Sequence, residues 1–257
     1  MISSSTDNYL LLTVDKGSDL LFMQELWDNY SRLPNLLNAH DRDYPYPRGY
    51  VWDSQKRRYY RPSGRPVSDR QLRAAAKRVS AEASRRAKKE TQQLIAGVII
   101  LAVWYSRMRD LLAALYKTIW LVSIGGFVFD DNTQRNLFYL FIMAQFNYFD
   151  NFTTQIETGE QVLDGRAVAR AGMYGGHGYS EWQNLRLLHA PEVGYVEVRR
   201  ILAPIEFERH CSEKENLHSD RPGCVEIAAR GWIPIAEMVP IGDCICYSNC
   251  LCDLKFR

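Results

Sequence analysis

The chain has 257 residues, 46% of them hydrophobic and 24% charged, with a formal net charge of +2. That length allows one large domain or two small ones, and the apolar share is enough for a packed core, which sets wholesale disorder aside. A charge so close to balance gives no global electrostatic ground for nucleic-acid binding, so any such surface has to be local.

Residues 1–49 read as an N-terminal extended arm. An amphipathic helix with Leu20, Met23, Leu26 and Trp27 on one side fits residues 19–33, after which Pro34, Pro45 and Pro47 favour irregular chain. Scattered Leu, Trp and Tyr side chains suit docking on the main body or on a partner. The opening MISSSTDNYLLLTVDK has no basic n-region and only a three-leucine apolar core. The expectation is therefore a chain kept in a reducing compartment.

From Tyr50 the pattern changes. Tyr50-Val51-Trp52-Asp53, Arg58-Tyr59-Tyr60 and Ser63-Gly64 suggest two short aromatic strands and a Ser-Gly turn. Ser68 with Gln71 then forms S-x-x-Q, a helix-opening signature worth about 1 kcal/mol. The stretch from Lys56 to Lys89 carries thirteen Lys and Arg against only Asp69 and Glu82. Such a stripe suits DNA, anionic lipid or an acidic protein surface, and is most commonly a solvated helix face.

No proline follows until Pro191. Residues 69–93 read as a basic, alanine-rich helix that runs on into an apolar one. Leu94, Val98, Leu101, Tyr105, Met108, Leu112, Leu115 and Ile119 recur at alternating gaps of four and three, a heptad seam that has to lie on a neighbouring helix. The uncharged run LIAGVIILAVWY is too short to cross a bilayer, which needs about 20 apolar residues. Gly125-Gly126 predicts the end of this helix. A second helix after Asp130-Asp131-Asn132-Thr133 carries Leu137, Phe141, Ala144, Tyr148 and Phe152 as its apolar face and packs antiparallel on the first. Shorter helices are expected over about 160–173, closed by Gly175-Gly176-His177-Gly178, and over 180–188. Beyond Pro191 the alternation of residues 195–202 predicts a strand, with further extended pieces at 232–235 and 251–256.

All six cysteines fall after residue 210, as Cys211-x12-Cys224, nineteen further residues, then Cys244-x-Cys246-x3-Cys250-x-Cys252. Thiolates from two such knots can close a tetrahedral Zn²⁺ site whose binding energy supports a cap too small to fold alone. Disulfides and free core thiols are the competing readings. For a metal, Cys211 and Cys224 stand on one side, with Cys246, Cys250 and Cys252 on the other. His210 and Cys244 are weaker options, and four ligands would leave some cysteine spare.

Little else in the chain suggests chemistry. His40, His177, His189, His210 and His218 show no helical metal-ligand spacing, and no P-loop, dinucleotide or G-x-S-x-G motif is present. The GMYGGHG cluster follows a helix instead of opening one, which is the wrong end for an anion.

Several pieces, taken in order, resemble the minor head or head-morphogenesis proteins of tailed bacteriophages. They are Tyr50-x-Trp52-Asp53 with Arg58-Tyr59, Gly64-Arg65-Pro66-Val67-Ser68, Trp104-x3-Met108 with Gly125-Gly126, and Arg170-Ala171-x-Met173-Tyr174. The series ends on His210-Cys211, Cys224, Gly231-Trp232-x-Pro234, Pro240-Ile241-Gly242 and Asn249-Cys250-x-Cys252. The likeness spans residues 50–257 and departs from the family at the first cysteine pair, which is here opened by twelve residues. It implies a non-enzymatic virion component, assembled in the host cytoplasm, that contacts portal, capsid or connector subunits in several copies. It also implies terminal cysteines that bind metal.

The expected architecture is α+β and mainly α. A 1–49 arm precedes a 50–190 helical body, and a 191–257 Cys-rich, metal-binding β cap follows. The expected function is virion assembly, with a possible contact to packaged DNA through the basic stretch and none to membrane. The alternative is a zinc-stabilised DNA-binding module of a phage or mobile element.

Overall fold

The computed structural model describes residues 51–53, 58–60, 68–123, 132–191, 194–204, 211–212, 220–246, 250 and 252–257. The 1–49 arm, Gly125-Gly126, Asp130-Asp131, His210, His218 and Asn249 lie outside them. The fold is α+β and mainly α.

Strands β1 (Val51–Asp53) and β2 (Arg58–Tyr60) form an antiparallel hairpin with Trp52 opposite Tyr59. The two aromatic strands expected from sequence are thus paired, and the expected Ser63-Gly64 turn lies outside the described residues. Helix α1 (Asp69–Ile95) opens on the Ser68/Gln71 capping box, where Gln71 Oε1 accepts from the Ser68 N–H at 3.2 Å. Five helices among the described residues then build the body: α1, α2 (Leu101–Ser123), α3 (Asn132–Glu157), α4 (Gly165–Gly176) and α5 (Gly178–His189). Cap elements follow as β3 (Glu197–Ile201), α6 (Cys224–Ala229), β4 (Ile233–Pro234) and β5 (Asp253–Phe256).

The heptad seam is interrupted. Gly97 adopts φ +67°, a left-handed value that suits glycine, and the chain folds back between α1 and α2. Val98, assigned to the seam, is 69% exposed at that turn, whereas Met108, Leu112, Leu115 and Ile119 are fully buried. Thr91 and Trp104 close the hairpin, with the indole N–H donating to Thr91 Oγ1 at 3.1 Å. No helix among the described residues is long and apolar enough to cross a membrane.

α3 packs antiparallel on α2 through aromatic rings. Trp104 meets Phe149 and Phe152 at one end, while Tyr116 and Trp120 meet Phe141 at the other. The buried face of α3 is Phe141, Ile142, Gln145, Phe146, Phe149, Phe152 and Ile156, and Tyr148, expected on it, is exposed. The buried arc runs from Phe141 through Gln145 and Phe149 to Phe146, which leaves Tyr148 at its outer edge.

The glycine cluster belongs to a packing stripe. Gly172, Gly175 and Gly178 recur every three residues against Lys88, Ala83-Ser84 and Ser80, so α4 runs antiparallel to α1 at close range. A Cβ on Gly175 would sit 2.3 Å from Ser84 N, against backbone that cannot swing aside. On Gly176 a Cβ would meet nothing within 4 Å. Gly175→Ala is therefore expected to destabilise the protein by about 1–3 kcal/mol, lowering its thermal midpoint by about 5 °C. Gly176→Ala should hold or raise it, and calorimetry on the two variants separates close packing from simple helix propensity.

Candidate metal centre

The cap has its own core, in which Leu187, Val198, Ile227, Met238, Ile241 and Leu254 surround Cys224, Cys244, Cys250 and Cys252. Its sheet has the order β4-β3-β5, antiparallel throughout, with Val198 opposite both Ile233 and Phe256. β3 alternates as a half-buried strand does, with Val198 and Arg200 inward. On the outer side Arg199 and Arg257 stack over Trp232, and Arg257 pairs with Glu197 at 2.6 Å.

Three segments converge under this sheet. The Val225 N–H donates to the Cys211 carbonyl at 3.3 Å, Ser212 Oγ donates to Glu226, and the Ile245 N–H donates to the Pro222 carbonyl at 3.2 Å. These bonds hold the Cys211 segment and the turn before Cys246 against the start of α6. Their cysteines meet as a result. Cys211 Sγ lies 3.3 Å from Cys246 Sγ, which is 3.5 Å from both Cys224 and Cys244, and Cys224 is 3.6 Å from Cys250.

All six cysteines are free thiols, and their nearest approach is well beyond the roughly 2.05 Å of a bonded pair. They form two groups of mutually close sulfurs, Cys211, Cys224, Cys244 and Cys246, and then Cys224, Cys250 and Cys252. The structure thus brings together Cys211, Cys224, Cys246, Cys250 and Cys252, and it adds Cys244, which spacing alone had ranked low. All six stand in one or other of these groups, two more than a single tetrahedral ion needs.

The donor set can hold a metal ion. Four sulfurs at about 2.3 Å from a tetrahedral ion are roughly 3.8 Å apart, close to the 3.3 to 3.6 Å separations found here. Polar support for the sulfurs is also in place. The Cys224 N–H donates to Cys211 Sγ at 3.1 Å, and Arg200, 2% exposed, donates from Nη1 to Cys224 at 3.5 Å and toward Cys250 at 3.9 Å. Nη2 is fixed by the carbonyls of Val239 and Pro240. Burial works against the Arg200 charge, but Cys250, Cys224 and Cys244 more than offset it and its pKa lies above the ordinary value. Hydrogen bonding, first from Cys224, holds the Cys250 thiol well below the usual range and brings Cys244 to about 6. Metal binding at these sulfurs would release the protons that the thiols carry.

Cap and body are tied beside this cluster. Gln183, fully buried on α5, donates to the Cys252 carbonyl at 2.8 Å and accepts from the Leu254 N–H at 2.7 Å, as a neighbouring strand would. Asp253 receives Arg73 at 2.7 Å, the Gln183 amide at 2.9 Å and the Tyr179 hydroxyl. Asn184 and the Ile241 backbone exchange two further bonds. Sequence reasoning missed Arg200 and Gln183. The parity of Arg200 with Val198 along an alternating strand was the available signal for the first, and nothing local marks the second.

Other sequence candidates lead elsewhere. Arg73 of the basic stretch binds Asp253, and Arg85 and Arg86 bind Glu82, so part of the stripe is committed within the chain. Glu181, the one fully buried acid among the described residues, meets Gln145 at 3.2 Å and His177 at 3.4 Å, and burial raises its pKa. Tyr116 donates to the same Gln145, making a polar network inside the bundle. Comparison with protein-family models, with curated proteins and with solved structures returned no match.

Gln183→Leu would leave the Leu254 N–H and the Cys252 carbonyl buried without partners, each costing about 1–3 kcal/mol. The expected result is a loss of about 2–5 kcal/mol, read as a lower urea midpoint, with the unfolding of the cap separating from that of the body.

Proposed function

We propose that this chain is a structural, non-enzymatic subunit of a tailed-phage virion. Its place is among the minor head, portal-vertex or head-to-tail connector components, and its C-terminal cap is closed by thiolate-bound Zn²⁺. The observation that carries this reading is where the sulfur cluster sits: buried at the base of the cap, with Cys252 one residue from the Asp253 that ties the cap to α1. A centre so placed stiffens a junction. The motif order that resembles head-morphogenesis proteins, ending on Asn249-Cys250-x-Cys252, supplies the assignment to a particle. An all-sulfur donor set at near-tetrahedral spacing favours Zn²⁺ among abundant divalent ions.

A surface for neighbours is also present. Val98, Ile100 and Val103 are exposed around the α1–α2 turn, with Ile95 beside them, an apolar tip suited to burial against another subunit. The DNA-binding alternative draws on the basic face of α1, where Arg70, Lys88 and Lys89 remain exposed.

The chain, produced during particle assembly, is expected to co-sediment with heads or procapsids in a density gradient. Val98→Asp with Ile100→Asp should cut incorporation by about tenfold or more while the purified variant keeps its thermal midpoint. A chain that stays free of particles and retains a DNA duplex at raised salt would favour the alternative. Within the centre, Arg200→Met is expected to weaken Zn²⁺ binding by about 10–100-fold, measured by competition with a chromophoric chelator.

A further inference from the structure

The six sulfurs are more than one ion needs, and their arrangement says what the excess is for. Cys211, Cys224, Cys244 and Cys246 complete four corners around one point, while Cys224 also belongs to the separate group with Cys250 and Cys252. Two tetrahedra that share an edge have six corners in all, the number of cysteines gathered here. Cys224 is one shared corner by distance, at 3.5 Å from Cys246 on one side and 3.6 Å from Cys250 on the other. The second shared corner falls to Cys244 or Cys246, which lie 3.5 Å from each other and precede Cys250 by six and four residues.

We infer that the cap holds two soft divalent ions in a single thiolate cluster, with Cys224 bridging them. The first ion takes Cys211, Cys224, Cys244 and Cys246; the second takes Cys224, Cys250 and Cys252 and completes its shell through a second shared thiolate. This inference rests on the metal reading above and extends it.

Placement of Arg200 supports the second ion in particular. Its buried guanidinium faces Cys224 and Cys250, one the bridge and one exclusive to the second group. Its other partners are the neutral carbonyls of Val239 and Pro240, so the counter-charge it needs comes from the sulfurs it faces, the bridge and the one exclusive to the second group. Six thiolates around two divalent ions carry two net negative charges, and a guanidinium donating to the bridge offsets one. Cys250 and Cys252 are each 3% exposed, so leaving them ionised without a metal would be costly.

The test is stoichiometry on the full-length reduced chain, with Zn²⁺ or Cd²⁺ added anaerobically and bound metal counted by native mass spectrometry. Two ions per chain are expected, with two ¹¹³Cd resonances coupled to each other through the shared sulfur. Cys252→Ala is expected to bind one ion and keep one resonance. Saturation at one ion, with two cysteines still open to alkylation, would overturn the second ion and leave the mononuclear reading standing. Two uncoupled resonances would overturn the bridge, and a chain that binds no metal would overturn both readings.

Discussion

Everything in the cap depends on how crowded sulfur is reconciled with burial. Of the ten buried residues at its centre, four are cysteines, so the apolar side chains alone make a core too thin to order the long connections between its short elements. Sulfurs held 3.3 to 3.6 Å apart without a bond would repel one another if ionised, and a divalent ion bound among them would turn that repulsion into attraction. Structural Zn²⁺ in small domains is worth on the order of 10 kcal/mol, more than several buried leucines at about 1.5–3 kcal/mol each.

That order passes to the body through very few residues. Cys252 is followed at once by Asp253, the anchor for Arg73 of α1 and for Tyr179 and Gln183 of α5. Gln183 spans Cys252 and Leu254, so loosening of the sulfur at position 252 moves the edge on which two helices rest. Arg186 of α5 adds a second link, lying over the Phe256 ring of β5 at 4.6 Å while it pairs with Asp69 at the start of α1 at 2.5 Å. Body and cap therefore share ion pairs and hydrogen bonds with limited solvent access, where such contacts count for more than surface pairs do.

Much of this fold was legible in the sequence because helical amphipathicity and strand alternation are local signals. The capping pair Ser68/Gln71, the α2 stripe from Met108 to Ile119 and the inward Val198 could all be read from periodicity. The seam at Val98 was misleading because spacing of four and three continued across a turn that only Gly97 marks, within a run of uniformly apolar residues. The two cysteine knots and their meeting were legible as a metal-capable set, but the place of Cys244 in it was not, since Cys211 and Cys224 meet Cys244 and Cys246 only through the packing of three separate segments. Partners such as Arg200 and Gln183 are set by tertiary approach, and a sequence records that approach only where parity along a strand betrays it.

The glycine stripe belongs to the same chain of causes. Gly175 lets α4 lie against α1 almost backbone to backbone, and Gly178 brings the start of α5 onto the Ser80 and Leu115 side chains, whereas the seam between α2 and α3 is filled by the rings of Trp104, Phe149 and Phe152. A thin seam on one side and a thick one on the other fix where α5 emerges. α5 then presents Gln183 and Asn184 to the cap, and Trp182 to the core, where its indole N–H reaches the Val122 carbonyl at 3.3 Å. Widening the α1–α4 seam by one methyl would displace the helix that carries Gln183 and with it the strand that begins beside Cys252. Small residues deep in the body thus contribute to the geometry of a sulfur cluster they never touch.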